Sequence, residues 1–300
     1  MAGLKSLICA ASLLLGTAYG VPMNGKLGQL EFGWLPDLLS SLADSPLTIA
    51  PAGKFSFKPS AGDTWNMQLN SLPTPSQARD QTYKIWDFDL MDAPRSLIKT
   101  FQDNGHPVIC YFSAGSYEDW RDDAKDFPKA ALGKPLDGWD GENWLDTRHP
   151  AVRAIMKKRI ALAASKGCDG IDPDNMDGYS NDSGTNMQKA DAVDYARFLA
   201  KTAHDAGMAY GLKNGGAFLD QVVDVAQFVV NEQCVQYNEC HLYQPFIQQN
   251  KPVFHVEYTS KDSVPTDYMR RTCSHAGTNG FSTLVKKMSL NSWTSKCADY

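Results

Sequence analysis

Acidic side chains that close short hydrophobic runs are the first chemistry offered by this 300-residue sequence. The runs end in Trp86-Asp87-Phe88-Asp89, Asp172-Pro173-Asp174-Asn175-Met176-Asp177, Asn231-Glu232-Gln233 and Glu257-Tyr258. An acid at the end of a buried run is costly unless it has a partner or a task. Two such carboxylates from different strands, brought to one mouth, suit glycoside hydrolysis: one protonates the leaving oxygen while the other attacks or activates water. Period-two alternation sets Asp172 and Asp174 on one side of their run, and Val230 and Glu232 on one side of theirs. Asp174 and Glu232 are therefore the expected catalytic pair, with Asp174 as nucleophile or base and Glu232 as the acid; the reverse order fits the same pattern. Asp89, Asp172, Lys213 and Glu257 are expected to bind substrate or support the pair, and Trp65, Tyr111 and Tyr258 to stack on sugar rings. A single Asp at a strand–helix junction is more often a helix cap, and Asp119 and Asp122 are read that way.

Other schemes find less support. No G-x-S-x-G elbow is present, and the six histidines form no H-E-x-x-H pattern, so neither a metal nor another cofactor is expected. The acidic balance, with no cluster of Lys or Arg, disfavours nucleic acid and anionic membrane and suits a cationic or neutral polysaccharide.

Positioning these acids requires a repeating scaffold. Eight apolar runs, at 65–69, 83–88, 108–112, 170–172, 209–212, 228–231, 253–257 and 281–284, are separated by amphipathic stretches including 97–102, 152–164, 191–206 and 266–275. Glycines 105, 167, 207 and 277 follow these stretches where a left-handed C-cap is expected. Eight strand–helix repeats in one chain of this length predict an α/β fold, a single (β/α)8 TIM-like barrel over 61–300, whose site lies at the carboxyl ends of the strands.

Ahead of the barrel, a basic start, the apolar run 7–16 and the small residues at 18–20 predict a signal peptide at 1–20, and 21–60 read as an irregular leader. Its removal takes away Cys9 and Lys5, leaving six of seven cysteines and moving the net charge from −5 to −6. An even count in an oxidising compartment suggests disulfides. Cys234 with Cys240 and Cys273 with Cys297 are near in sequence, leaving Cys110 and Cys168, though spacing alone does not fix connectivity. The one glycosylation sequon, Asn181-Asp182-Ser183, is expected in a surface loop. The expected product is a secreted monomer, free or wall-associated.

Four longer motifs resemble a known family. Cys110-Tyr111-Phe112-Ser113-Ala114-Gly115-Ser116-Tyr117-Glu118-Asp119-Trp120-Arg121, Lys166-Gly167-Cys168-Asp169-Gly170-Ile171-Asp172-Pro173-Asp174-Asn175-Met176-Asp177-Gly178-Tyr179, Gly211-Leu212-Lys213-Asn214 and Asn231-Glu232-Gln233-Cys234 resemble glycoside hydrolase family 114, the endo-α-1,4-polygalactosaminidases. The resemblance runs from about Trp65 to the C-terminus and implies a TIM-like barrel that cuts α-1,4-linked galactosamine polymers internally without a metal, with the catalytic acids on Asp174 and Glu232. It departs at Leu90-Met91, where Leu-Phe is expected, a difference of packing rather than chemistry. A carbohydrate-binding barrel without catalysis and a metal-dependent polysaccharide deacetylase are the alternatives.

Overall fold

Runs buried along their whole length have no solvated face, and they are stable as central strands of a parallel sheet covered by helices. The computed structural model describes residues 55–297; the expected signal peptide and the expected leader up to residue 54 lie outside them. Among the described residues the strands are β1 Trp65–Gln68, β2 Ile85–Asp89, β3 Val108–Ser113, β4 Ser116–Glu118, β5 Leu132–Pro135, β6 Glu142–Leu145, β7 Gly170–Asp174, β8 Ala209–Lys213, β9 Phe228–Glu232, β10 Val253–Tyr258, β11 Ser282–Lys286 and β12 Thr294–Lys296. One curled sheet has the order β1-β2-β3-β7-β8-β9-β10-β11-β12, parallel throughout except for β12. Its eight parallel strands fall on the eight runs read from the sequence.

The sheet closes without a ladder between its first and eighth parallel strands. Trp65 Nε1 instead donates to the Ser282 carbonyl at 2.8 Å, and Ser282 Oγ donates to the Asp63 carbonyl at 2.8 Å. The interior is packed, not a pore. Trp65 stacks on Phe254 with centroids 4.9 Å apart, Phe254 meets Phe228 at 5.6 Å, and Phe228 lies so close to Gly211 that a Cβ there would come within 2.2 Å of the ring.

The helices are α1 Arg95–Asp103, α2 Pro150–Lys166, α3 Lys189–Asp205, α4 Gln244–Gln248 and α5 Thr266–Cys273. α2 shows why they form where they do. His149 Nδ1 caps the Ala151 N–H, Pro150 opens the first turn, Val152, Ile155, Met156, Ile160 and Ala163 make one buried face, and left-handed Gly167 ends it. α3 starts from a capping box between Gln188 and Asp191. Gly105 and Gly207 adopt the expected left-handed conformation, but Gly277 does not: α5 stops at Cys273, and Gly277 lies in a 3-10 turn capped by His275.

The sequence reading left 113–151 without elements. The structure builds there an antiparallel sheet of order β4-β6-β5, turned by left-handed Gly138 and Gly141. Its strands are short and partly exposed, so they lack the long apolar runs that announce the barrel strands.

All three expected disulfides form, Cys110–Cys168, Cys234–Cys240 and Cys273–Cys297. The first joins β3 to the segment entering β7 across 58 residues of sequence. Replacing both of its cysteines by Ala is expected to cost about 2–4 kcal/mol, read as a lower chemical-denaturation midpoint. An unchanged midpoint would mean that ladder pairing alone holds these strands.

Candidate active site

The ends of β7, β8 and β9 share one local design. Asp174, Lys213 and Glu232 each end a strand, and each is followed by a non-glycine residue in the left-handed region: Asn175 at φ 62°, Asn214 at φ 51° and Gln233 at φ 63°. That conformation is uncommon outside glycine, and amide side chains such as Asn tolerate it best. It turns the backbone sharply as soon as the functional side chain has been presented. At Asn175 the turned backbone lies directly over Gly115, where a Cβ would stand 1.7 Å from the Asn175 carbonyl oxygen, so Gly115 has to be glycine.

Lys213 lies between the two acids. Its Nζ is 3.1 Å from Asp174 Oδ1 and 3.3 Å from Glu232 Oε2, and it lies 5.4 Å from the centroid of the Tyr111 ring. Burial opposes its charge, but Asp174, Glu232 and Asp172 together hold the ammonium well above the usual lysine range. Asp174 also accepts from Tyr111 OH at 2.9 Å and from the Asn175 N–H at 2.7 Å. Glu232 accepts from Tyr258 OH and, at 3.3 Å, from Asn214 Nδ2, while the Glu232 N–H donates to Asn214 Oδ1. Burial, reinforced by the nearest acid, raises both phenols well above the ordinary tyrosine range, so they act as neutral donors.

These groups open into a cleft of about 720 Å³, whose lining includes Tyr111, Asp174, Lys213, Asn214, Glu232 and Tyr258. The hairpin β5–β6 adds Lys134, which pairs with Asp182, and Pro135, Leu136, Asp137, Trp139, Glu142 and Trp144, and Asn175, Asp177, Asn181 and Asp182 follow β7. Leu69, Met176, Gln233, Met288 and Leu290 also line it. Asn181, the sequon residue, is exposed as expected and donates to Asp177.

Of the nine site residues named from sequence, five meet here: Asp174, Glu232, Lys213, Tyr111 and Tyr258. The other four lie elsewhere. Trp65 is 1% exposed and packs in the lower barrel. Asp89 is tied up by two bonds from Arg121, at 3.1 and 2.6 Å. Glu257 alternates away from Tyr258 and accepts from His255 and the Val235 N–H. Asp172 shares the inward parity of Asp174 but sits one layer lower, wholly buried. Conversely, Glu142, Trp139, Asn175, Asn214 and Asp177 were not named from sequence. For three of them a signal existed: the amides in Asp174-Asn175 and Lys213-Asn214 sit where a chain must turn, and Asp177 is in the same acidic motif. Glu142 and Trp139 depend on the hairpin.

Beneath the site, Asp87 and Asp172 are both fully buried, and their carboxyl groups interact with each other while no other group of the described residues donates to them. Burial, compounded for Asp87 by the charge of Asp172, raises Asp87 well above the carboxylate range. Burial likewise raises Asp172, to about 7, against the opposing pull of Lys213. The group Cys234, Cys240 and His255 has metal-like spacing, but its two sulfurs are joined to each other in a disulfide.

Comparison with known proteins bears on the family and the fold. The model of glycoside-hydrolase family GH114 matches residues 46–300. Ega3 of Aspergillus fumigatus, solved as a complex with galactosamine, is 43% identical with a TM-score of 0.78, the match covering 83% of this chain and 100% of Ega3. The glycoside hydrolase domain of PelA from Pseudomonas aeruginosa shares the fold at 14% identity and a TM-score of 0.63, over 78% of this chain and 98% of that domain. The α-galactosidase TtGalA of Thermus thermophilus does so at 13% identity and 0.52, over 77% of this chain and 59% of its own. No curated protein gives a significant sequence match.

The buried acid pair generates a stability prediction. Folded Asp87 and Asp172 keep protons that the unfolded chain releases above about pH 4, so stability falls as pH rises from there through about 7. Asp87→Asn removes part of that slope. Between about pH 5 and pH 8 its melting temperature should fall less than that of the wild type, by about 2–4 °C for each kcal/mol of relief. Parallel melting curves across that range would show that the pair does not hold a proton.

Proposed function

The chain belongs to glycoside hydrolase family GH114, and from that premise we propose that it is an endo-acting hydrolase of α-1,4-linked galactosamine polymers that works through a covalent intermediate on Asp174. The substrate class is supported by galactosamine in the complex of Ega3 and by the acidic lining of the cleft, which concentrates a polycation.

The observation that carries the mechanism is that one ammonium reaches both carboxylates. Asp174 Oδ1 and Glu232 Oε2 can be no farther apart than the sum of their 3.1 and 3.3 Å distances to Lys213 Nζ. So short a path between the facing oxygens favours the roughly 5–5.5 Å carboxyl separation of retaining enzymes over the about 6.5–9.5 Å that leaves room for a water in inverting ones, and the anomer of the first product decides between them. In the first step Asp174 attacks the anomeric carbon while Glu232 gives its proton to the departing glycosidic oxygen. In the second, Glu232 takes a proton from water, whose oxygen displaces Asp174 and restores both carboxyl groups. Tyr111, the Asn175 N–H and Lys213 aim and charge-stabilise the nucleophile. Tyr258 and Asn214 fix the rotamer of Glu232.

Three disulfides fit folding in an oxidising compartment, and with the apolar N-terminus they support secretion. We read the protein as a monomer with no nucleic-acid or membrane partner.

The test is product release from de-N-acetylated galactosaminogalactan, with the anomer followed by NMR. The wild type should release oligosaccharides with α configuration at the new reducing end and be indifferent to a chelator. Asp174→Asn and Glu232→Gln should each lose at least about 10³-fold in kcat. Initial β product would overturn the covalent step, and binding without cleavage by the wild type would favour a carbohydrate-binding barrel. Loss of activity on chelation would favour a metal-dependent deacetylase.

A further inference from the structure

Buried acids in the upper barrel mostly have a cation of their own. Asp89 and Glu118 share Arg121, Asp123 pairs with Arg159, and Asp174 and Glu232 share Lys213. Glu142 does not. It opens β6, lines the cleft and is only 8% exposed, yet no Lys, Arg or His of the described residues lies within ion-pair distance. Its one hydrogen bond comes from Ser116 Oγ to Oε2 at 2.6 Å, which leaves Oε1 without a donor. A carboxylate withdrawn this far from water needs a compensating charge, and both lysines of the lining are engaged elsewhere, Lys134 with Asp182 and Lys213 with Asp174 and Glu232. Burial and the charges of Glu118 and Asp174 accordingly push Glu142 up to about 7, a value that an arriving ammonium would lower.

Glu142 is also held in register with the catalytic turn. Asn175, which gives its N–H to Asp174, donates through Nδ2 to Ser116 Oγ at 2.9 Å, and Ser116 passes the bond on to Glu142. At the tip of the same hairpin stands Trp139, half exposed in the same cleft, an aromatic face of the kind that stacks on sugar rings.

We infer that Glu142 is the specificity-determining residue for the protonated 2-amino group of a galactosamine unit, its free oxygen completing an ion pair that the protein leaves open beside Asp174. The inference rests on the proposed substrate class and assigns to a single side chain the discrimination between galactosamine and N-acetylgalactosamine. An acetylated nitrogen carries no charge and brings an added methyl to a carboxylate that needs a cation.

The test separates recognition from cleavage. Binding of galactosamine and N-acetylgalactosamine oligosaccharides is measured by calorimetry on Asp174→Asn and on Asp174→Asn with Glu142→Gln, after melting curves confirm that both are folded. Glutamine keeps the shape and the Ser116 bond but not the charge. Affinity for the galactosamine oligosaccharide should fall about 10-fold or more in the double variant, with the N-acetylated one unchanged. In otherwise wild-type enzyme, Glu142→Gln should raise KM for the de-N-acetylated polymer by a similar factor while kcat stays within about twofold. Equal affinities in the two variants, equal losses for both sugars, or a fall in kcat with KM unchanged would each overturn the assignment. Wild type that binds galactosamine oligosaccharides without cutting them would overturn the proposed reaction and leave the role of Glu142 standing.

Discussion

Everything above the barrel core is arranged around the ammonium of Lys213. Two carboxylates this close, in a site withdrawn from water, would otherwise suppress each other's ionisation. The cation offsets that repulsion and sets the distance between them, and it is itself retained in its charged form because acids surround it. Neither half of this arrangement is stable alone, since a buried ammonium or a buried pair of acids without its partner carries a large desolvation penalty. Packing contributes as well: the Tyr111 ring forms a wall against Lys213, and its hydroxyl holds Asp174.

The scaffold meets this demand with backbone geometry. Three neighbouring parallel strands each deliver one charged side chain and then turn away through a left-handed amide residue. Such turns cost local strain, and they persist because surrounding groups over-determine them. Asn214 is fixed by bonds to Glu232, and Asn175 by its bonds to Ser113 and Ser116 and by its close approach to Gly115. The strain is thus concentrated where orientation matters, on rigid strand ends rather than on long loops.

How much of this was legible in the sequence depended on the range of the interaction. The eight barrel strands announced themselves as buried runs, and the parity of Asp174 and Glu232 followed from alternation, because both signals are local. Trp65, Asp89, Asp172 and Glu257 show the limit. Alternation gives the side of a strand, and position on the run sets Asp174 above Asp172, but that Asp172 is sealed off from the cleft shows only when the layers are stacked. Asp89 read as a free acid because Arg121, its partner, lies 32 residues away. Glu257 occupies a strand end like Glu232, but it faces outward to His255. The sheet β4-β6-β5 has no long apolar run to betray it, and with it Glu142 and Trp139 stayed out of sight.

The seam between β1 and β11 places the whole construction in time. The contact that joins them, from Trp65 to Ser282, spans 217 residues of sequence. At a synthesis rate of roughly 5–20 residues per second, β1 emerges on the order of 10–40 s before the strand it must meet. During that interval the nascent sheet can grow strand by strand from one side, but its first edge has no mate and the strand ends do not yet ring a mouth. Completion of the catalytic site is therefore tied to arrival of the last parallel strand, and a chain cut short before β11 would offer an open sheet edge in place of an enzyme.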